Sequence, residues 1–202
     1  GLFGGGDKKT TPTLGERSPV LSRIESGAKV DPSLAGVDVV LPAPRVNPDW
    51  AQVGGSASKS YGHLALSENP TRVWTASIAG SSERRRLAAA PVVGGGKLVA
   101  VDTSGFVHAF DAKTGAQLWR YKMEMPNNLS SSAFGGGASI DGERVYATNG
   151  VGEVVALDAE TGSQIWKVQP AGPLRGSPTI AFGQIYVMTQ DNQIFSLDAT
   201  NG

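Results

Sequence analysis

Reactive side chains are scarce in this sequence, and their spacing narrows the chemistry it can support. Histidine occurs twice, as His63 and His108, and cysteine does not occur. Without Cys there is no disulfide, thiolate metal site or Cys nucleophile within the 202 residues. His63 sits beside Tyr61 and Gly62 in a polar stretch, with no second His at metal-ligand spacing. His108 falls within the apolar run Phe106 to Phe110, where the expectation is a ring satisfied by a neighbouring carbonyl. Gly135-Gly136-Gly137 lacks the Lys-Ser or Lys-Thr and the helix that a phosphate loop needs, so it reads as a connection between sheets. No Ser-His-Asp set or carboxylate pair stands out. The expectation is a protein with no catalytic residue, no metal and no cofactor.

The acidic residues that do recur point to architecture. Asp111, Asp158 and Asp198 each open the same pattern, whereas a catalytic acid would be unique. Ala109 to Trp119 and Ala156 to Trp166 match at almost every step, and Ser196 to Gly202 repeats the pattern as far as its Gly. Asp is followed four residues later by Gly115, Gly162 or Gly202, and in the first two copies by Trp119 or Trp166 four further on. Asp bonds the amides of a tight turn and Gly supplies the positive φ that closes it. The returning strand carries the Trp, whose ring can lie on bare backbone and wedge between neighbouring sheets.

Trp119 and Trp166 are 47 residues apart, and Asp158 and Asp198 are 40 apart, a period typical of propellers and solenoids. Equivalent strands are expected at Lys97 to Val101, Arg144 to Thr148 and Gln184 to Met188, each starting 14 residues before the motif Asp. A second strand follows each, at Phe106 to Phe110, Glu153 to Leu157 and Gln193 to Leu197. Strands at Ala89 to Val93, Gly137 to Ile140 and Ser177 to Ile180 lead each unit in. With the Trp strand, that makes four short antiparallel strands per repeat, which is a propeller blade. The β-branched runs and the closely spaced Gly and Asp-Gly turns exclude helical repeats. The fold expected is all-β: a flexible tether over 1–36, then a partial propeller over 37–202. Its units are an atypical first one at about 37–80 and repeats at about 87–123, 131–169 and 176–202. Trp74, 45 residues before Trp119, closes the atypical unit. Val37 to Leu41 reads either as a strand that closes the far end of the ring or as a local edge strand.

Eighteen basic and eighteen acidic residues, spread without long blocks, argue against an electrostatic nucleic-acid binder. Arg84-Arg85-Arg86 reads as a solvated loop. No stretch approaches the ~20 apolar residues of a membrane-spanning helix. The Gly-rich opening without Met reads as the start of a processed or trimmed chain, and the break inside the third motif as the N-terminal part of a longer one. The segment Gly172-Pro173-Leu174-Arg175-Gly176 offers a large apolar residue and an Arg on a Pro/Gly-framed turn. A binding role and a local one, packing for Leu174 and a salt bridge for Arg175, both fit it.

The Asp-x-x-Thr-Gly-x-x-x-Trp element resembles that of the PQQ-like β-propeller repeats. Two families share it, the quinoprotein dehydrogenases and the outer membrane protein assembly factor BamB, an eight-bladed periplasmic lipoprotein. Asp49 to Gly55, Tyr61 to Leu64, Arg85 to Pro91, Tyr146 to Gly150 and Thr189 to Gln193 are similar to stretches of the BamB family, particularly its alphaproteobacterial forms. That resemblance implies a non-enzymatic scaffold that binds the POTRA domains of BamA. It also implies that Leu174, Arg175 and Gly176 belong to the docking surface, with Gly172 where the family has a further Leu. The dehydrogenase alternative implies pyrroloquinoline quinone and Ca²⁺ at the propeller axis. A generic interaction propeller is a third reading.

Overall fold

A computed structural model describes residues 42–55, 62–78, 89–124 and 135–202. The tether expected over 1–36, the Val37 to Leu41 run and the Arg84 to Arg86 triplet lie outside the described residues. Contacts divide the chain into Gly1–Leu41 and Pro42–Gly202, and the second unit holds all the structure described below.

Among the described residues, eleven strands form three sheets, each a simple antiparallel meander. The first contains β1 (Val92–Gly94), β2 (Lys97–Val101), β3 (Phe106–Asp111) and β4 (Gln117–Lys122). The second contains β5 (Gly137–Asp141), β6 (Arg144–Thr148), β7 (Val154–Asp158) and β8 (Gln164–Val168), and the third β9 (Leu174–Ala181), β10 (Gln184–Thr189) and β11 (Ile194–Asp198). There is no helix among the described residues. Meanders of four strands stacked face to face are β-propeller blades.

Two-residue turns set the register at the start of each blade. Gly94 pairs with Lys97, leaving Gly95 and Gly96 at φ 56° and 76° as the loop. Ala181 pairs with Gln184, leaving Phe182 and Gly183 at φ 54° and 71°. Positive φ at both positions is the turn that matches strand twist, and it favours Gly, Asn or Asp. A bulky side chain held there costs roughly 1–2 kcal/mol.

Two lead-in strands differ from the expected bounds, the first because of proline and the third because Leu174 is drawn into the core. The first begins at Val92 rather than Ala89, because Pro91 has no N–H to offer a ladder. The third begins at Leu174 rather than Ser177, so the Leu174 to Gly176 segment expected as a turn lies in β9. There Leu174 pairs with Thr189 and Arg175 with Met188, and the register then shifts before Thr179 meets Tyr186. Pro178 sits inside that bulge, where its missing donor breaks no ladder bond. Residues 71–78, which carry Trp74, form no strand.

The second sheet is covered on both faces, which explains its nearly unbroken apolar runs. On one side Ile140, Val145, Ala147, Val155 and Leu157 share a buried cluster with Val99, Val107, Ala109 and Trp119 of the first sheet. On the other, Tyr146, Val154, Ala156 and Trp166 cluster with Leu174, Ile185 and Val187 of the third. Fully burying a side chain such as Leu157 or Ile185 is worth roughly 1.5–3 kcal/mol.

The sheets converge along their first strands, with β5 against β1 on one side and β9 on the other. An upstream segment crosses these free edges. Trp50 exchanges two backbone bonds with Val93, at 2.6 and 2.7 Å. The Ala51 carbonyl accepts the Ile140 amide at 2.7 Å, and the Gln52 side-chain oxygen accepts the Ile180 amide at 3.0 Å. Residues 50–52 therefore strap three successive blades and satisfy edge groups that would otherwise need water or another chain.

Candidate functional site

The recurring motif builds the joints between blades. Asp111 Oδ1 accepts the amides of Lys113 and Thr114 at 2.9 and 2.8 Å. Asp158 Oδ1 accepts those of Glu160 and Thr161 at 3.0 and 2.8 Å, and Asp198 Oδ1 accepts that of Thr200 at 2.7 Å. The amides of Gly115, Gly162 and Gly202 then close each corner onto the Asp carbonyl at 2.8 Å, with φ of 75°, 72° and 76°.

Each corner receives an indole from the preceding unit. A Cβ on Gly115 would lie 2.7 Å from Trp74, one on Gly162 2.6 Å from Trp119, and one on Gly202 2.9 Å from Trp166. The three Nε1–H groups donate to the carbonyls of Ala112, Ala159 and Ala199 at 2.9, 2.8 and 3.0 Å. Across its own hairpin Trp119 faces Ala109, and Trp166 faces Ala156. The small residue therefore belongs to the indole's own sheet, while the Gly and the carbonyl belong to the next.

Charge adds a modest, sign-definite contribution. Turn amides hold the Asp158 and Asp111 carboxyls below their ordinary value of 3.8, with the amides of Thr161 and Thr114 as the leading causes. A depressed carboxyl stabilises the fold above its unfolded pKa and loses that contribution as pH falls through the folded one. Glu153 has the opposite sign, because burial pushes its carboxyl up, so its ionised form opposes folding. Thermal melts from pH 2 to 7 are expected to show Asp158→Ala flattening the acid limb. Glu153→Gln should raise Tm at neutral pH but not at acid pH, and a uniform shift across the range would contradict both assignments.

The two histidines fall into local roles. A His108 ring nitrogen meets Asp102 rather than the expected carbonyl, with Nε2 2.7 Å from Oδ2 and Gln117 Nε2 3.2 Å from Nδ1. Because the Gln amide nitrogen can only donate, Nδ1 is the acceptor and Nε2–H donates to Asp102. Asp102 also accepts the amides of Ser104 and Phe106 at 2.8 and 3.0 Å. Asn149 accepts those of Val151 and Glu153, and Thr189 that of Gln193, in the corresponding turns. Asp102 is thus a turn brace that His108 joins. His63 is exposed, its Nδ1 3.2 Å from the Pro42 carbonyl. Among the described residues no three His, Asp or Glu side chains gather as a metal-binding group.

The segment singled out for binding separates into two environments. Leu174 is 1% exposed and packs with Tyr146, Trp166 and Ile185. Arg175 faces solvent, where Nη2 donates to Asn192 Oδ1 at 2.9 Å and lies 2.9 Å from Met188 Sδ. Gly176 adopts φ 74°, and its carbonyl accepts the Thr148 hydroxyl at 2.8 Å. Leu174 and Gly176 anchor the segment, and Arg175 is the side chain it presents. The 50–52 strap was missed in the sequence because a three-residue crossing has no periodicity. The Phe182 turn did carry a signal, since Phe182 aligns with Gly95.

A family model described as outer membrane protein assembly factor BamB matches residues 61–128 and 104–202. The chain belongs to that family. A search of curated proteins finds no match. Among solved structures, the chain resembles quinohemoprotein alcohol dehydrogenase from Comamonas testosteroni at 23% identity and a TM-score of 0.64, over 77% of this chain and 26% of that one. A quinohemoprotein alcohol dehydrogenase from Pseudomonas putida HK5 matches 61% of this chain and 20% of its own, at 22% identity and a TM-score of 0.53. BamB from Moraxella catarrhalis matches 50% of this chain and 28% of its own, at 20% identity and a TM-score of 0.41. The two dehydrogenases share the propeller fold with this BamB-family chain, which spans about a quarter or less of either.

Proposed function

We propose that this protein is a non-catalytic scaffold at the periplasmic face of the bacterial outer membrane. In this reading it is a lipoprotein that docks on the POTRA domains of BamA and assists insertion of outer-membrane β-barrels. Family membership carries the reading, because the matching model is described as an assembly factor and extends through the third sheet. The geometry supplies a matching feature: Arg175 projects from β9 and is steadied by Asn192, so it reaches a partner with little ordering cost. Binding of the full-length protein to BamA POTRA domains is the direct test. Arg175→Glu is expected to weaken it at least about tenfold with an unchanged melting temperature. Undiminished affinity would remove this interface.

The dehydrogenase reading draws on the shared fold. A quinone and its Ca²⁺ would occupy the propeller axis, near the convergence of first strands where residues 50–52 already cross β1, β5 and β9. A carboxylate set for Ca²⁺ does not assemble among the described residues. Mixing the intact protein with pyrroloquinoline quinone and Ca²⁺ is expected to give no substrate-dependent dye reduction. Turnover would overturn the scaffold proposal.

A further inference from the structure

The turn between β9 and β10 carries a side chain that its geometry disfavours. Phe182 is at φ 54° and 96% exposed. The same position in the first blade is Gly95, and the second blade turns through Gly142 at φ 55°. A Cβ on either glycine would meet nothing within 4 Å, so these turns need no side chain for packing. A ring in a left-handed position, turned out to water, is not explained by the stability of the turn.

Beside the ring lies a shallow depression of about 290 Å³, lined by Ala51, Gln52, Ile140, Asp141, Ile180 and Phe182 among others. Its floor is built rather than accidental. Gln52 is 8% exposed and bonded to the Ile180 amide, and the Ala51 carbonyl takes the Ile140 amide. Its rim carries the exposed Asp141 carboxylate, which has no ion pair among the described residues.

We propose that this turn and depression form a docking site for a partner protein segment that presents an aromatic or aliphatic side chain beside a Lys or Arg. The apolar side chain lies against Phe182 beside the half-buried Ala51 and Ile180, and the cation sits at Asp141. An exposed aromatic beside half-buried apolar side chains is a common composition of an interface anchor. The single negative charge at the rim selects a cationic neighbour over an acidic one. Arg175 lies near the other end of β9, roughly 20 Å away at the rise of an extended strand. This surface is therefore separate from the POTRA contact and stands or falls independently of it.

The probe is N-acetyl-phenylalanyl-arginine amide, titrated into the ¹⁵N-labelled full chain and followed by amide shifts. Saturable shifts at Gly55, Ile140, Ile180 and Gly183 are expected. The phenylalanyl-glutamate analogue should bind about fivefold more weakly, and Asp141→Asn should remove that difference. Phe182→Gly should abolish the shifts while leaving Tm equal or higher, because it relieves the turn. Absence of saturable shifts, their persistence in Phe182→Gly, or a fall in that variant's Tm would each overturn the proposal. Equal binding of the two peptides to the parent chain would overturn the role of Asp141.

Discussion

Truncating Trp119 to Ala is expected to cost about 3–5 kcal/mol, the range for large aromatic rings cut from a core. The ring is 9% exposed and lies in the cluster that joins the first and second sheets. Losing it leaves a hole against Gly162 and Ala109, and it strips the Ala159 carbonyl of its donor. Trp74→Ala should cost less, since that ring is only half-buried and is held by a segment without strand structure. Urea unfolding of the full chain, followed by tyrosine and far-ultraviolet signals, measures both. A Trp119→Ala loss below about 1 kcal/mol would show that the indole is not what joins the sheets.

Adding one methyl on the opposite side of that joint should do comparable harm. Gly162→Ala drives a Cβ to 2.6 Å from Trp119 at φ 72°, so overpacking and backbone strain act together. Overpacking typically costs 1–3 kcal/mol and the left-handed backbone another 1–2, for a total of roughly 2–5 kcal/mol. Gly142→Ala separates the two contributions, because Gly142 has φ 55° and nothing within 4 Å of an added Cβ. It should show only the backbone part. The double variant Trp119→Ala/Gly162→Ala should be less unstable than the sum of its singles by about 1 kcal/mol or more, since removing the ring makes room for the methyl. Strict additivity would mean that Gly162 matters for its turn alone.

The joints were legible in the sequence because every part of them recurs. Asp, Gly and Trp at fixed spacing carry their own register, and β2 and β6 have the expected bounds, Lys97–Val101 and Arg144–Thr148. What spacing could not convey is which sheet each indole would rest on, since the Gly of its own hairpin and the Gly of the next are the same residue type. The fate of Leu174 was hidden by Pro173 and Gly176, which mark a turn locally, while burial against Tyr146 and Ile185 drew the residue into a strand. His108 has a local role, as its mid-strand setting suggests, but its partner is Asp102 rather than a carbonyl, because Asp102 is six positions away and reached only after the turn folds back. The strap depends on an acceptor and a donor 128 positions apart, a separation that no local pattern announces.

That strap also fixes an order of events. The bonds from Trp50, Ala51 and Gln52 end on Val93, Ile140 and Ile180, so the crossing is complete only when all three sheets stand side by side. Contacts between residues so far apart in sequence close a large loop and form late. During synthesis the stretch leaves the ribosome before any of its partners exists, and it must wait there while the later β-strands are made and arranged. A crossing translated ahead of the strands it joins closes only after those strands are in place.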